Sequence, residues 1–246
     1  MKATLVLLAV TVMKTGVCIA GVRREAPKTW VRPVREFGTV LLGDITYPTP
    51  PGAGGERRVM RPFDIVELTL GRARPDPPHV EDWTCDFAHS RPRLLATLAE
   101  GQREQVLAAA GASSDAIWTD RNRSLGTLRV DDVSATFTAD AYAGTYEARV
   151  VFPGLPSDIA SVACTDLKWR ALGRRLLARG QAAAASQGAT HVLRLGGDEL
   201  RAALGGPSDI WLALGMTRLH DGRTWPLVVG VHTVPEYEAD VDYHAL

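Results

Sequence analysis

The chain has 246 residues, enough for one large domain or two small ones, and 46% of them are apolar, enough for a hydrophobic core. Its 28 Lys and Arg residues are balanced by 28 Asp and Glu residues, which excludes a generic phosphate-backbone binder that relies on high positive charge. Any polyanion site must therefore be a local patch. Three widely spaced cysteines are too few for a disulfide framework or a zinc knuckle and indicate a reducing compartment.

The first 22 residues admit two interpretations, an export signal or the first hairpin of the folded domain. Lys2 followed by the apolar residues 3–13 favours a signal. However, Lys14-Thr15-Gly16 interrupts the run, and apolar residues resume at 17–22, where a signal should end. Residues 5–12 are mostly apolar at both alternating positions, as in a strand buried on two faces. We therefore predict a hairpin that the mature protein retains.

The rest of the N-terminal half continues as a sheet. Residues 30–34 predict a short third strand, in which Pro33 indicates an edge or a bend. Residues 47–56 are dense in proline and glycine and typical of a loop, and they lack the Gly-Lys-Ser/Thr of a phosphate-binding loop. Strand character resumes at residues 63–70.

A helical stretch separates this half from the next. Ser90 precedes Arg91-Pro92 and a series of leucines, a pattern that predicts a capped helix reaching Gly111. We divide the chain accordingly into an N-terminal barrel of residues 1–89, a helical connector of residues 90–124 and a C-terminal barrel with a terminal arm, residues 125–246.

The second half begins with three predicted strands, at residues 125–130, 135–139 and 146–152. A helix follows in the segment CTDLKWRALGRRLLARG, with Thr165 as its N-cap and Gly180 as its end. One apolar stripe runs along this helix, and it consists of Trp169, Leu172, Gly173 and Leu176.

Two final strands, residues 211–219 and 225–234, flank an Asp-Gly turn, which is a strong hairpin signal. Three strands, a helix and a hairpin follow the strand order of a five-stranded OB-type barrel. The N-terminal half could be a second, less regular copy. We therefore predict a mainly β fold with helices, in which two OB-like five-stranded barrels are bridged by helical segments.

Four segments resemble the motifs of the bacterial dual OB-containing domain family, which pairs two such barrels. They are CIAGV...TWVRPV, CTDLKWRALGRR, LALGMTR and WPLVVGVHTVPEYEADVDYHAL. The resemblance runs from Leu5 to Leu246, with an Ala/Gly-rich departure at residues 181–206. It implies that the N-terminal strand is part of the fold, and it implies no particular reaction.

OB barrels bind ligands through strands 2 and 3 and through the loops joining strands 1 to 2 and 4 to 5. A site for single-stranded nucleic acid would need basic side chains interleaved with exposed aromatic ones. The N-terminal half offers such a cluster, namely Lys14, Arg23, Arg24, Lys28, Trp30, Arg32 and Arg35. The alternative is that Trp30 is a core residue and that the arginines form a solvated surface.

The CTDLKW segment also admits two interpretations. Cys164 at a helix N-terminus could be an activated thiol, or it could be a small buried packing residue. Asp166 and Arg170 could pair with Thr217-Arg218 in a structural polar network. These residues and His232 complete the candidate ligand-binding set, which adds Asp166, Arg170, Arg218 and His232 to the N-terminal cluster.

We interpret the chain as a non-enzymatic binding module for nucleic acid or a nucleotide-like ligand, with single-stranded nucleic acid as a candidate partner. Two alternatives stay open. One is a protein-interaction scaffold of a larger bacterial system, and the other is an enzyme that uses Cys164 and Asp166. No sequence motif indicates a cofactor, a metal or a membrane anchor, and we expect a cytoplasmic location.

Overall fold

The computed structural model of the chain describes residues 1–13, 15–47, 58–183, 190–219 and 222–242, without the side chains of residues 181–183. The predicted loop at 47–56 thus lies outside the described residues, apart from Tyr47. The chain forms two compact units, Met1–Thr127 and Leu128–Leu246. Residues 90–124, predicted as a separate connector, fall within the first unit.

The first unit is a mainly β structure around a closed barrel. Its first five strands are β1 (Lys2–Met13), β2 (Gly16–Arg23), β3 (Ala26–Val34), β4 (Asp64–Ala73) and β5 (Asp82–Cys85). Strand β1 pairs antiparallel with β2 along one edge and with β4 along the other. The pairs β2–β3, β3–β5 and β4–β5 complete the circle, with β3 and β5 parallel. The order β1-β2-β3-β5-β4 is thus a five-stranded OB-type barrel.

The hairpin predicted for the first 22 residues is confirmed. Leu5 pairs with Arg23, and Met13 pairs with Gly16 across the turn. On the other edge of β1, Leu5 also pairs with Val66. Residues 5–10 are all buried, which explains why apolar side chains occupy both faces of the strand.

The helix predicted from Ser90 begins later than expected. Residues Arg93–Thr97 instead form strand β6, which pairs antiparallel with β4, and the helices α1 (Glu100–Ala109) and α2 (Ser114–Trp118) follow. The leucines have helical spacing, but the main-chain groups of β6 bond to β4, and the Leu98 N–H donates to the Phe63 carbonyl at 2.8 Å. A partner strand distant in sequence therefore overrides the local pattern. A short 3-10 helix (Leu42–Ile45) completes the unit.

The second unit contains a seven-stranded sheet and two helices. The strands are β7 (Gly126–Val130, which begins within the first unit), β8 (Ser134–Asp140), β9 (Thr145–Val151), β10 (Val162–Cys164), β11 (Thr190–Leu195), β12 (Asp209–Met216) and β13 (Pro226–Val234), and the helices are α3 (Leu167–Ala183) and α4 (Gly197–Ala203). The predicted strands 1 to 5 correspond to β7, β8, β9, β12 and β13. In the sheet the predicted strands lie in the order 2-3-5-4-1, which is β8, β9, β13, β12 and β7, and β10 lies between β9 and β13. Strand β11 pairs with β8 at the edge where an OB-type barrel would close.

Helix α3 buries Trp169, Leu172 and Gly173 of the predicted apolar stripe inside the second unit, whereas Leu176 is half-buried and the neighbouring Leu177 is buried. Trp169 and Leu172 are fully buried, and the Trp169 ring lies 5.6 Å from that of Phe137 in β8. Asp166, not the predicted Thr165, caps the helix, and the helix continues past Gly180 to Ala183. Among the described residues, no helix combines the length and apolar character needed to cross a bilayer.

Two glycines of α3 test this packing. A Cβ at Gly173 would overlap the Phe137 ring and the Tyr146 hydroxyl. We expect Gly173→Ala to lower the free energy of unfolding by about 1–3 kcal/mol, although alanine favours helix. Gly180 has no described neighbour within 4 Å of such a Cβ, so Gly180→Ala should raise stability by up to about 1 kcal/mol. Urea unfolding measures both, and a Gly173→Ala protein as stable as wild type would contradict the packing.

Candidate functional site

The aromatic member of the predicted N-terminal cluster is not at the surface. Trp30 is 4% exposed, and its indole N–H donates to the carbonyl oxygen of Ala110 at 3.1 Å. Ala110 directly follows α1, so the chain's own helical segment covers the ring. A base can stack only on an exposed ring. This corrects the assignment of Trp30 as a ligand-binding residue, since Trp30 is a core residue.

Two arginines of the cluster are neutralised within the first unit. Arg32 is buried, with its Nε 2.6 Å from Oδ1 of the fully buried Asp82. Arg35 forms a bidentate pair with Asp44, at 2.8 and 2.6 Å. These contacts hold both guanidiniums in structural ion pairs, and burial removes Arg32 from the surface that a ligand could reach.

The remaining members of the cluster have different surroundings. The Arg23 guanidinium lies over the Trp83 ring, 5.6 Å from its centroid, and ion-pairs with Glu25. Arg24 is exposed. Lys14 lies outside the described residues. The structure thus does not assemble the predicted cluster into one open basic and aromatic face.

Asp166 connects the helix and the sheet of the second unit. Its Oδ1 accepts the backbone N–H groups of Lys168 and Trp169, at 2.7 and 3.0 Å, and these bonds cap α3. Its Oδ2 accepts the N–H of Val231 in β13 at 2.8 Å. Backbone donors therefore hold both oxygens, in place of the predicted network with Thr217-Arg218, and Asp166 has a structural role.

Cys164 and Asp166, the two residues of the enzyme alternative, are both buried, and burial raises the pKa of each. Cys164 is buried, and burial raises the pKa of its thiol well above the usual value. A nucleophilic thiolate needs the opposite shift, so the interpretation of Cys164 as an activated thiol is corrected. Burial also raises the pKa of Asp166 to about 6, against the lowering effect of its three N–H donors.

The other predicted residues of the second unit separate into buried and accessible ones. His232 is buried in β13, which corrects its assignment as a ligand contact. Arg218 is exposed just beyond the end of β12, and Arg170 is half-buried on α3. Among the described residues, no three His, Cys, Asp or Glu side chains are grouped so that they could hold a metal ion.

The described residues of the loop joining β12 to β13 include an exposed aromatic ring and two exposed arginines. Trp225 is 53% exposed, and Arg218 and Arg223 are exposed in the same loop. Its stem is ordered, because the Thr217 N–H donates to the Trp225 carbonyl at 2.9 Å and the Trp225 N–H donates to Thr217 Oγ1 at 2.8 Å. In an OB-type strand order this is the loop between strands 4 and 5, which commonly contacts ligands.

The sequence pattern predicts Trp225 as the first residue of the last strand and does not indicate that its ring is exposed in a loop. The strand begins one residue later, at Pro226. The available signal was that proline, because a residue without an N–H commonly marks the start of a strand and leaves the preceding side chain in the loop.

A family model described as the dual OB-containing domain matches residues 3–152, more than half of the chain. The chain belongs to the dual OB-containing domain family. The match covers the closed barrel of the first unit and strands β7, β8 and β9, whereas the resembling segments in α3, β12 and β13 lie beyond it. No curated protein and no solved structure matches the chain.

The buried ion pair of the first unit gives a stability test. Arg32→Ala would remove the guanidinium that neutralises the buried Asp82, and we expect a loss of about 3–5 kcal/mol in the free energy of unfolding. Arg24→Ala removes the same charge from an exposed position and should change stability by less than about 0.5 kcal/mol. Denaturant unfolding compares the two, and equal stabilities would contradict the buried pair.

The raised pKa of Asp166 gives a pH test. The folded protein holds a proton on this carboxyl more tightly than the unfolded chain, so the penalty of the buried charge is present above about pH 6 and is relieved towards pH 4. Asp166→Asn cannot titrate. We expect the stability deficit of Asp166→Asn relative to wild type to grow by about 2 kcal/mol from about pH 7.5 to about pH 4.5. Urea unfolding across this range measures it, and a constant deficit would contradict the shift.

Proposed function

We propose that this dual OB-containing chain is a non-enzymatic binding module that recognises single-stranded nucleic acid through the β12–β13 loop. The observation that supports the proposal is the exposed ring of Trp225 with the exposed Arg218 and Arg223 in the same loop. This is the combination of an aromatic platform and basic side chains that the sequence led us to look for in the N-terminal half.

The chemistry of the three side chains suits a single strand. A nucleobase stacked on an aromatic ring contributes about 1–3 kcal/mol, and stacking tolerates any base because every base has a π-face. Arginines in the same loop would neutralise phosphates of the bound strand. The rings of Trp30 and Trp169 are buried, whereas the Trp225 ring is exposed to water. A base stacked on Trp225 would remove apolar surface of this ring from water, which is favourable.

The charge of the β7–β8 loop limits where the nucleic-acid strand can run. The loop between β7 and β8 corresponds to the loop between strands 1 and 2, and it exposes Asp131 and Asp132. Their carboxylates repel phosphates. We therefore expect the contacts to concentrate at the β12–β13 loop and to involve few phosphates.

The scaffold alternative has an observation of its own, in the first unit. Phe37 is 85% exposed, and Leu41 and Met13 are exposed as well. The Val17 N–H donates to the Val40 carbonyl at 2.9 Å, so the segment carrying Phe37 and Leu41 is attached to the β1–β2 hairpin. If these side chains form one continuous apolar patch, that patch would suit a protein contact.

The nucleic-acid proposal is tested by fluorescence anisotropy with a labelled oligothymidylate at low salt. We expect Trp225→Ala to weaken binding by about tenfold or more, since it removes the stacking platform. The matched control is Tyr142→Ala, because Tyr142 is 93% exposed in the β8–β9 turn of the same unit, and this change should leave affinity within about twofold.

Two further results decide between the functions. Arg218→Ala combined with Arg223→Ala should weaken binding. The slope of log K against log salt should become shallower by about 1.4, because each phosphate contact on a single strand contributes about 0.7 to this slope. Absence of binding to any oligonucleotide at low salt, or equal weakening by Tyr142→Ala and Trp225→Ala, would remove the proposal and leave the scaffold as the better-supported function.

A further inference from the structure

Two arginines of α3 share one tyrosine ring on β9. The guanidinium carbons of Arg170 and Arg174 lie 4.7 and 4.4 Å from the centroid of the Tyr146 ring. The Tyr146 hydroxyl donates to the Arg170 carbonyl oxygen at 2.9 Å, and an N–H of the Arg170 guanidinium donates to the Tyr146 carbonyl oxygen at 3.1 Å. These contacts fix the ring and both guanidiniums relative to each other.

No carboxylate forms an ion pair with either guanidinium within the described part of the chain. Neither Arg170 nor Arg174 lies within ion-pair distance of an Asp or Glu side chain there. Glu147, the residue after Tyr146, forms its ion pair with Arg149 at 2.7 Å. Arg32 of the first unit shows the opposite arrangement, because it is withdrawn from solvent together with its own carboxylate.

The two positive charges also oppose each other. Burial, the largest effect, and the nearby Arg174 lower the pKa of Arg170, while Tyr146, Cys164 and the carboxylate of Glu147 raise it. An anion that contacts both guanidiniums would add an attraction to each of them that offsets this repulsion. The existing contacts restrain the two side chains, so less conformational entropy would be lost when such an anion binds.

The donors needed for an anion are accessible. Arg174 is exposed, and its contact in the described structure is with the face of the Tyr146 ring rather than with a hydrogen-bond acceptor. Arg170 is half-buried and uses one N–H for the Tyr146 carbonyl, which leaves further N–H groups of the planar fork. Guanidinium forks match phosphate oxygens, to which they donate two parallel hydrogen bonds.

We propose that Tyr146, Arg170 and Arg174 form a phosphate-binding site that takes a diphosphate group, either as pyrophosphate or as part of a nucleotide. Two adjacent cations favour a multiply charged phosphate over a single monoanion. The site uses none of the residues of the β12–β13 loop, so it does not depend on the proposed binding of single-stranded nucleic acid.

Isothermal titration calorimetry of the full chain with pyrophosphate at low ionic strength tests the site. We expect saturable binding that Arg174→Ala weakens by about tenfold or more. Arg179→Ala is the matched control, since it removes the same charge from an exposed position on the same helix and should change affinity by less than about twofold. Trp225→Ala should leave pyrophosphate binding unchanged, which separates this proposal from the previous one.

A second variant tests the ring. Tyr146→Leu keeps both arginines but removes the surface that positions them, so it should weaken pyrophosphate binding severalfold while circular dichroism shows a folded protein. Equal affinities for pyrophosphate and ADP would identify the phosphates as the recognised group, and tighter binding of ADP would add a nucleoside contact. Both results support the site.

Other results would overturn it. Absence of saturable binding to pyrophosphate at low ionic strength is one, because an open pair of guanidiniums should bind a dianion there. Equal weakening by Arg179→Ala and Arg174→Ala is another, since it would reveal a diffuse charge effect. Pyrophosphate binding that survives Arg174→Ala but disappears in Trp225→Ala would assign the phosphate contact to the loop.

Discussion

The pairing of β1 along both of its edges is the constraint on which the first unit depends. Backbone groups of β1 bond to β2 on one side and to β4 on the other, so the barrel closes and β1 has no open edge. Residues that follow the barrel strands in sequence pack back against them. The carbonyl oxygen of Ala110, just after α1, accepts the indole N–H of Trp30 in β3. The carboxylate of Glu81 accepts the N–H groups of Ser124 and Leu125, at 2.8 and 3.1 Å. The Trp30 ring of β3 is therefore buried in the folded unit and is not available to stack on a base.

Asp166 has the corresponding role in the second unit. Its carboxylate caps α3 and binds the N–H of Val231 in β13, so the start of the helix is fixed to the sheet. Arg170 and Arg174 follow at intervals of four residues, and side chains at this spacing share one face of a helix. The buried acid therefore determines where the two guanidiniums meet Tyr146. Three backbone donors offset only part of the cost of burying the charge, which is why the carboxyl keeps a raised pKa.

Local patterns in the sequence predicted most elements but not their surroundings. The apolar alternation of β9 depends on neighbours in sequence, so this strand could be recognised, whereas Asp221 of the predicted Asp-Gly turn lies outside the described residues. Strand β6 depends on pairing with β4, which no local spacing reveals. The cap of α3 was misplaced by one residue because Thr165 and Asp166 are both good capping residues. Trp30 and Trp225 have similarly basic neighbours, and only the tertiary structure shows which ring the chain covers.

Charge balance explains why the candidate sites are local. With equal numbers of basic and acidic residues, the chain lacks a long-range field that would attract polyanions. Any recognition of an anion by this chain would then depend on a few arginines held beside an aromatic ring, as Arg170 and Arg174 are beside Tyr146. In the first unit Arg32 and Arg35 are paired with Asp82 and Asp44. In the second, Arg170 and Arg174 are arranged around Tyr146 without such a partner among the described residues. A few short-range contacts of this kind give affinities that depend weakly on salt and strongly on single side chains.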